Sequence, residues 1–117
     1  MQDLTPFTAY TLLLLPILGG KEMAAYLVVD IDVTHPAQFE EYKKLAPAAI
    51  AKFGGRYLIR GGAYEAIEGD WKPQRLTIVE FESIEKAKAF YASPEYQTAI
   101  KARKGAANMK MLLVQGV

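Results

Sequence analysis

Four charged side chains on three predicted strands form the set most able to do chemistry. Asp30 and Asp32 lie on the first of these strands, Arg60 ends the second and Glu80 lies on the third. We expect all four on the sheet face away from the helices, where a desolvated carboxylate can act as a general base and a guanidinium can orient an oxygenated substrate. Asp32, Arg60 and Glu80 are therefore the catalytic candidates. The alternative is a structural ion-pair network, since buried charges are paired wherever they occur.

A second set, of aromatic and imidazole side chains, could line a ligand pocket. Tyr42, Trp71 and Tyr96 could contact a flat substrate, and Tyr hydroxyls can donate to an oxyanion. Aromatic residues at helical spacing also serve as core, whereas Trp71 lies in a loop with Gly and Pro where no local pattern requires burial. His35 could be an acid or base at a cleft mouth. Its alternative role is an exposed cap before the helix-opening Pro36.

Composition excludes several classes of function. A chain of 117 residues is long enough for one core, and a net charge of +1 from scattered Lys and Arg is not the footprint of a nucleic-acid-binding protein. With no Cys and a single His, thiolate nucleophiles, disulfides and multi-histidine metal sites are excluded. We therefore expect a cytoplasmic protein with no cofactor, no metal and no nucleic-acid partner.

Residues 1–22 are expected to lie outside the domain. The apolar stretch 7–18 is shorter than the roughly 20 residues that a membrane helix needs, so no membrane partner is predicted. Its flank lacks Lys and Arg, and no small-residue cleavage site follows, so it is only weakly signal-like. We interpret it as an upstream-start artefact or an added arm, with the domain beginning at Met23.

Hydrophobic spacing predicts four strands and two helical regions in residues 23–117. Alternation of apolar side chains indicates the strands, and apolar residues at three- and four-residue steps indicate the helices. Capping residues and glycines mark the ends. The predicted strands cover 26–33, 56–60, 75–81 and 111–115, and the helices begin at Pro36, after Ser83 and again at Pro94.

This order is βαββαβ, an α+β fold of ferredoxin-like type with an antiparallel four-stranded sheet and helices on one face. A half-solvated sheet should alternate cleanly between apolar and polar residues. Here Tyr26, Val28, Leu76 and Ile78 make the second face apolar as well. A second copy of the chain covering that face is the economical explanation, so we predict a homodimer.

Three motifs occur in order along the domain: Gly-Gly-Arg-Tyr-Leu-Ile-Arg-Gly-Gly at 54–62, Glu-Phe-Glu-Ser at 80–83 and Ser-Pro-Glu-Tyr at 93–96. Together they make the chain resemble the uncharacterised family called domain of unknown function 1330, within the dimeric α+β barrel superfamily. The resemblance implies a homodimer whose sheets face one another as a barrel. Relatives in the superfamily include cofactor-independent monooxygenases, muconolactone isomerases, stress-responsive proteins and haem-dependent peroxidases. His35 stands where an Asp or Asn commonly precedes the helix Pro.

Two functions are consistent with these features. The first is a small-molecule-binding homodimer acting as a cofactor-independent enzyme on an oxygenated or aromatic metabolite. The second is a non-catalytic dimeric module for stress response or protein interaction, in which the same charges only fix strand register. A polar-lined cavity between sheet and helices would favour the first function, and a fully packed barrel the second.

Overall fold

The computed structural model describes residues 23–117, so the predictions for residues 1–22 lie outside the described residues. Here the chain follows the predicted βαββαβ order, with the second helical region divided in two. The elements are β1 (Ala25–Val33), α1 (Pro36–Lys52), β2 (Arg56–Arg60), β3 (Leu76–Phe81), α2 (Ile84–Ala92), α3 (Pro94–Arg103) and β4 (Ala107–Gln115). Within this range no helix combines the length and the apolar character that crossing a membrane requires.

The four strands form one sheet in the order β2-β3-β1-β4, and all neighbouring strands are antiparallel. β1 and β2 are therefore parallel to each other with β3 between them, and β3 and β4 are parallel with β1 between them. Each parallel pair is joined by helices, since a parallel connection needs a long crossover. This topology confirms the predicted ferredoxin-like fold.

Serine side chains define where α2 and α3 begin. Ser83 Oγ accepts a hydrogen bond from the backbone N–H of Lys86 at 3.1 Å, and Ser93 Oγ accepts one from Tyr96 at 3.1 Å. Each serine satisfies a helical N–H that would otherwise lack a partner. His35 precedes α1 but makes no such bond. The start of that helix is instead favoured by Pro36, whose fixed φ suits the first helical position.

The core lies between the sheet and the helices. Leu27, Val29 and Ile31 alternate along β1 and are buried on this side. The rings of Phe81, Phe90 and Tyr96 continue the core toward α2 and α3, with 5.1 Å between the centroids of the first two and 4.4 Å between the last two.

One predicted boundary differs from the structure, because β4 begins at Ala107, four residues before the predicted start. Residues 61–75 form no strand, so β2 and β3 are joined by an irregular loop. On α2, Ala87 and Phe90 are buried, whereas Tyr91 is 44% exposed.

Candidate functional site

A β-bulge in β2 decides where the predicted catalytic residues lie. Arg56 lies opposite Glu80 on β3, but the register then shifts by one residue, which places Arg60 opposite Thr77. Directly opposed residues of an antiparallel pair share a face, and Thr77 is buried on the helix side. Arg60 therefore lies on the helix side as well. The prediction that it shares the open face with Glu80 is wrong, because simple alternation along β2 does not count the extra residue.

Glu80 belongs to a hydrogen-bonded cluster on the open face. Its carboxylate accepts a bond from Arg56 Nε at 2.7 Å and one from the Tyr26 hydroxyl at 3.2 Å. The bond from Arg56 holds the pKa of Glu80 below its usual value, and the bond to Glu80 raises the pKa of Tyr26. Because the three residues are directly opposed across β2, β3 and β1, this arrangement supports strand register.

Asp32 lies on the open face far from this cluster. It lies six positions after Tyr26 on β1, which is opposite Glu80, and six steps correspond to about 20 Å at the usual rise of a strand. Asp32 is exposed and shares a shallow depression with Asp30 and two lysines. The three predicted catalytic side chains therefore do not form one site. In the described part of the chain, no group of three or more Asp, Glu or His side chains could hold a metal ion.

A cavity of about 80 Å³ lies on the helix side of the sheet, beneath α1. Alternate residues of β1 and β3 form its floor, and the inward side of α1 forms its roof. It opens to solvent beside β2. Its apolar wall includes Val29, Ile31, Ala46, Ile50 and Val79.

Two tyrosine hydroxyls face each other in the wall of this cavity. Tyr42 on α1 and Tyr96 on α3 are buried, and their oxygens are 2.7 Å apart. Burial, reinforced by the neighbouring Tyr96, raises the pKa of Tyr42 far above its usual value, so the phenol stays protonated. Together the two phenols carry two hydroxyl protons, and the hydrogen bond between them uses one. Neither hydroxyl makes another hydrogen bond within residues 23–117, so one O–H can donate to a ligand or water.

Basic side chains line the cavity together with this apolar wall. Arg60 lies over the ring of Tyr57, with 4.3 Å between its guanidinium carbon and the ring centroid. Arg75 and Lys43 also contact the cavity, and the lining within the described residues contains no carboxylate. Thr77, opposite Arg60, is buried and also lines the cavity. The polar groups of the cavity are therefore cations and hydroxyls.

A second depression, of about 370 Å³, lies between α2 and β4. It shares Leu27 and Met111 with the first cavity, so these two side chains separate them. Arg103 lines the second depression, and its guanidinium carbon is 5.6 Å from the centroid of the Tyr42 ring. The buried Nε of Arg103 has no hydrogen-bond partner in the described part of the chain.

The other predicted ligand-binding residues are not all near the cavity. Tyr42 and Tyr96 line it, as described above. His35 is exposed at the start of α1, where its Nδ1 lies 3.2 Å from the hydroxyl of Thr34. Trp71 is 66% exposed in the loop before β3 and does not line the cavity. Within one chain the structure therefore brings together two of these four residues.

Sequence reasoning missed four polar residues of the cavity, namely Lys43, Tyr57, Arg75 and Thr77. The signal for Thr77 was available, because it alternates with the buried Val79 in a strand whose inward positions are otherwise apolar. The same alternation assigns Arg75 and Tyr57 to the helix side, since Arg75 is two residues before Thr77 and Tyr57 lies opposite Val79, before the bulge in β2.

Comparisons with known proteins agree with this architecture. A protein of unknown function from Rhodopseudomonas palustris is 16% identical, with a TM-score of 0.64 over 83% of this chain and 85% of the other. SnoaB, a cofactor-independent oxygenase from Streptomyces nogalater, is 17% identical, with a TM-score of 0.60 over 81% and 94%. A dimeric protein with a ferredoxin-like fold from Bacteroides fragilis is 11% identical, with a TM-score of 0.53 over 81% and 98%. No match was found among curated protein sequences.

At such identities the solved structures show a shared fold. The sequence model of one family, described as "Domain of unknown function (DUF1330)", matches residues 24–117, which includes every helix and strand that the structure describes. The match includes the three motifs at 54–62, 80–83 and 93–96. This chain therefore belongs to the DUF1330 family.

Proposed function

We propose that this protein is a homodimer that binds a small organic molecule in the cavity beneath α1. The observation that carries the proposal is the Tyr42–Tyr96 hydroxyl pair, which retains a hydrogen-bond donor beside the apolar wall of the cavity. Ligand sites characteristically combine apolar walls with a few convergent polar groups. Binding is supported better than catalysis, because neither a carboxylate nor an imidazole of the described residues lines this cavity.

Self-association is supported by the open face of the sheet. Leu112 is 66% exposed and Val114 is 44% exposed on β4, next to the half-buried Val28 on β1. Contiguous apolar patches of this kind mark interaction surfaces. The solved structure of the Bacteroides fragilis protein is described as dimeric, which supports the same arrangement here.

Light scattering after size-exclusion chromatography tests the dimer. We expect the wild type to elute at twice the mass of the chain and Leu112→Arg to elute as a monomer. Ala48→Arg, which adds the same charge at an exposed position of α1, is the matched control and should remain dimeric. A monomeric wild type, or an unaltered Leu112→Arg dimer, would contradict the assignment of this face.

A cavity-filling substitution tests the ligand site. Ala46 is 2% exposed and lines the cavity, whereas Ala48 lies two residues away on the outer side of α1. Ala46→Leu should abolish binding of single-ring probes such as phenol, benzamide and benzoate in NMR titrations, while Ala48→Leu should bind as the wild type does. Equal binding by all three proteins would place the ligand elsewhere and refute the proposal.

A cofactor-independent oxygenase is the second candidate function. It is supported by the fold shared with SnoaB and by the protonated Tyr hydroxyls, which could donate to the oxygen of an ionised hydroxyaromatic as it reacts with O₂. Oxygen uptake with 1,4-dihydroxynaphthalene should then exceed the uncatalysed rate and fall in Tyr42→Phe. Uptake at the uncatalysed rate would favour a non-catalytic binding module.

A further inference from the structure

We propose that the cavity beneath α1 selects an organic anion, a small carboxylic acid with an apolar body, and that Arg60 and Arg75 bind its carboxylate. This inference rests on the proposed function, since it assumes that the cavity binds a small molecule. It adds the charge and the class of that molecule. It also assigns a role to Arg75, which no sequence pattern had singled out.

The charges around the cavity have one sign. Its lining includes Lys43, Arg60 and Arg75 and, within residues 23–117, no Asp or Glu. Lys43 pairs with Glu40 at 3.1 Å, but neither arginine has a carboxylate within 4.0 Å in this range. Two guanidinium groups next to an apolar wall therefore lack an anionic partner, and a carboxylate from outside would provide one.

Arg56 provides the contrast on the same strand. It carries the same side chain as Arg60 four residues earlier, but on the open face, where Glu80 accepts from its Nε at 2.7 Å. Among residues 23–117, Arg56 at one end of β2 is thus paired with a carboxylate and Arg60 at the other end is not. The bulge in β2 is what directs the second arginine to the cavity.

Both arginines are exposed, and each lies against one neighbouring residue. The guanidinium of Arg60 lies 4.3 Å from the centroid of the Tyr57 ring. The stem of Arg75 lies against Gly61, where an added Cβ would be 3.0 Å from its Cγ. Gly61 also has a φ of +68°, which favours glycine. The planar fork of a guanidinium matches the two oxygens of a carboxylate.

The body of the ligand must be small and apolar. About 80 Å³ is roughly half of the 150 Å³ that an apolar cavity able to hold benzene offers, so part of a single ring can enter while the rest lies beside Tyr57. The free O–H of the Tyr42–Tyr96 pair can serve a second oxygen on the ligand. Ammonium compounds should be rejected, since the lining offers them only like charges.

Benzoate, benzamide and benzylamine test the charge preference, because they share one ring and differ in charge. The full chain is labelled with ¹⁵N and titrated with each compound at neutral pH. We expect benzoate to bind at least about tenfold more tightly than benzamide, the ratio typical of a charge-assisted hydrogen bond, and benzylamine not to bind. Shifted amides should cluster around Ile50, Thr77 and Val79.

Substitutions of single arginines test where the carboxylate of benzoate binds. Two single substitutions, Arg60→Gln and Arg75→Gln, should each weaken the binding of benzoate about tenfold and leave the binding of benzamide unchanged. Arg56→Gln is the matched control and should alter neither affinity. Equal affinities for benzoate and benzamide, or benzoate binding that survives loss of both cavity arginines, would overturn the anion preference while the cavity remains a ligand site. Binding of neither compound would overturn the proposed function itself. Amide dispersion in the same spectra shows whether each variant is folded.

Discussion

The hydroxyl pair of Tyr42 and Tyr96 makes a quantitative prediction about stability. The two oxygens are 2.7 Å apart, and the side chains are 9% and 1% exposed. Tyr42→Phe and Tyr96→Phe each leave one buried hydroxyl without its partner, which costs about 1–2 kcal/mol of unfolding free energy, and the cost should be larger where the more deeply buried Tyr96 hydroxyl is left behind. Removing both hydroxyls should cost less than the sum, because no orphaned group remains.

Urea unfolding of the two single variants, the double variant and the wild type measures this coupling. All four must be compared at one protein concentration, since the stability of a dimer depends on it. We expect a coupling energy of about 1–2 kcal/mol, and for a domain of this size each kcal/mol shifts the melting temperature by about 4–8 °C. Tyr64→Phe is the control, because Tyr64 is 50% exposed and donates to the carbonyl of Pro73 at the surface.

Strict additivity of the two single substitutions would refute this reasoning. It would mean that the hydroxyls do not share a bond, so the count of one spare donor in the pair would be wrong. A loss in Tyr64→Phe as large as that in Tyr42→Phe would likewise show that the effect is not specific to the cavity.

Two further predictions concern the sheet. Gly55→Ala should lower the free energy of unfolding by about 1–3 kcal/mol, because the added Cβ would lie 2.7 Å from a ring carbon of the buried Phe81. Gly62→Ala is the control, since its Cβ would meet nothing within 4 Å and the substitution should be nearly neutral in the same urea assay. Equal effects of the two substitutions would contradict the packing of Gly55 against Phe81. Arg56 lowers the pKa of Glu80, so the folded state gains stability above the usual carboxyl pKa of about 4.3 and loses it as the pH falls through the lowered value. Glu80→Gln should therefore flatten the acid limb of a stability–pH profile, and an unchanged limb would show that the pair contributes nothing.

The order of the elements could be predicted because the local signals agree with one another. Apolar alternation defined β1 and β3, serine caps fixed the starts of α2 and α3, and glycine at Gly54, with a φ of 76°, ended α1. The apolar second face of the sheet could also be read from Val28 and Ile78, since each alternates with residues that proved to be buried.

The candidate site was less predictable because it depends on one extra residue in β2. Plain alternation places Arg60 with Arg56, and the bulge between them reverses that placement. Distance along the sheet was the second obstacle, since Asp32 and Glu80 share a face but lie at opposite ends of the strands. Only Tyr42 and Tyr96, from two different helices, were both predicted as pocket residues and found side by side.

The most direct test of the account is the position of a bound ligand. Intermolecular nuclear Overhauser effects between unlabelled benzoate and the ¹³C-labelled full chain report which methyl groups lie beside the ring. A ligand in the cavity predicts cross-peaks to Ile50 and Val79 on the helix side of the sheet. Cross-peaks confined to Val28 and Ile78, on the opposite face, would contradict the central claim.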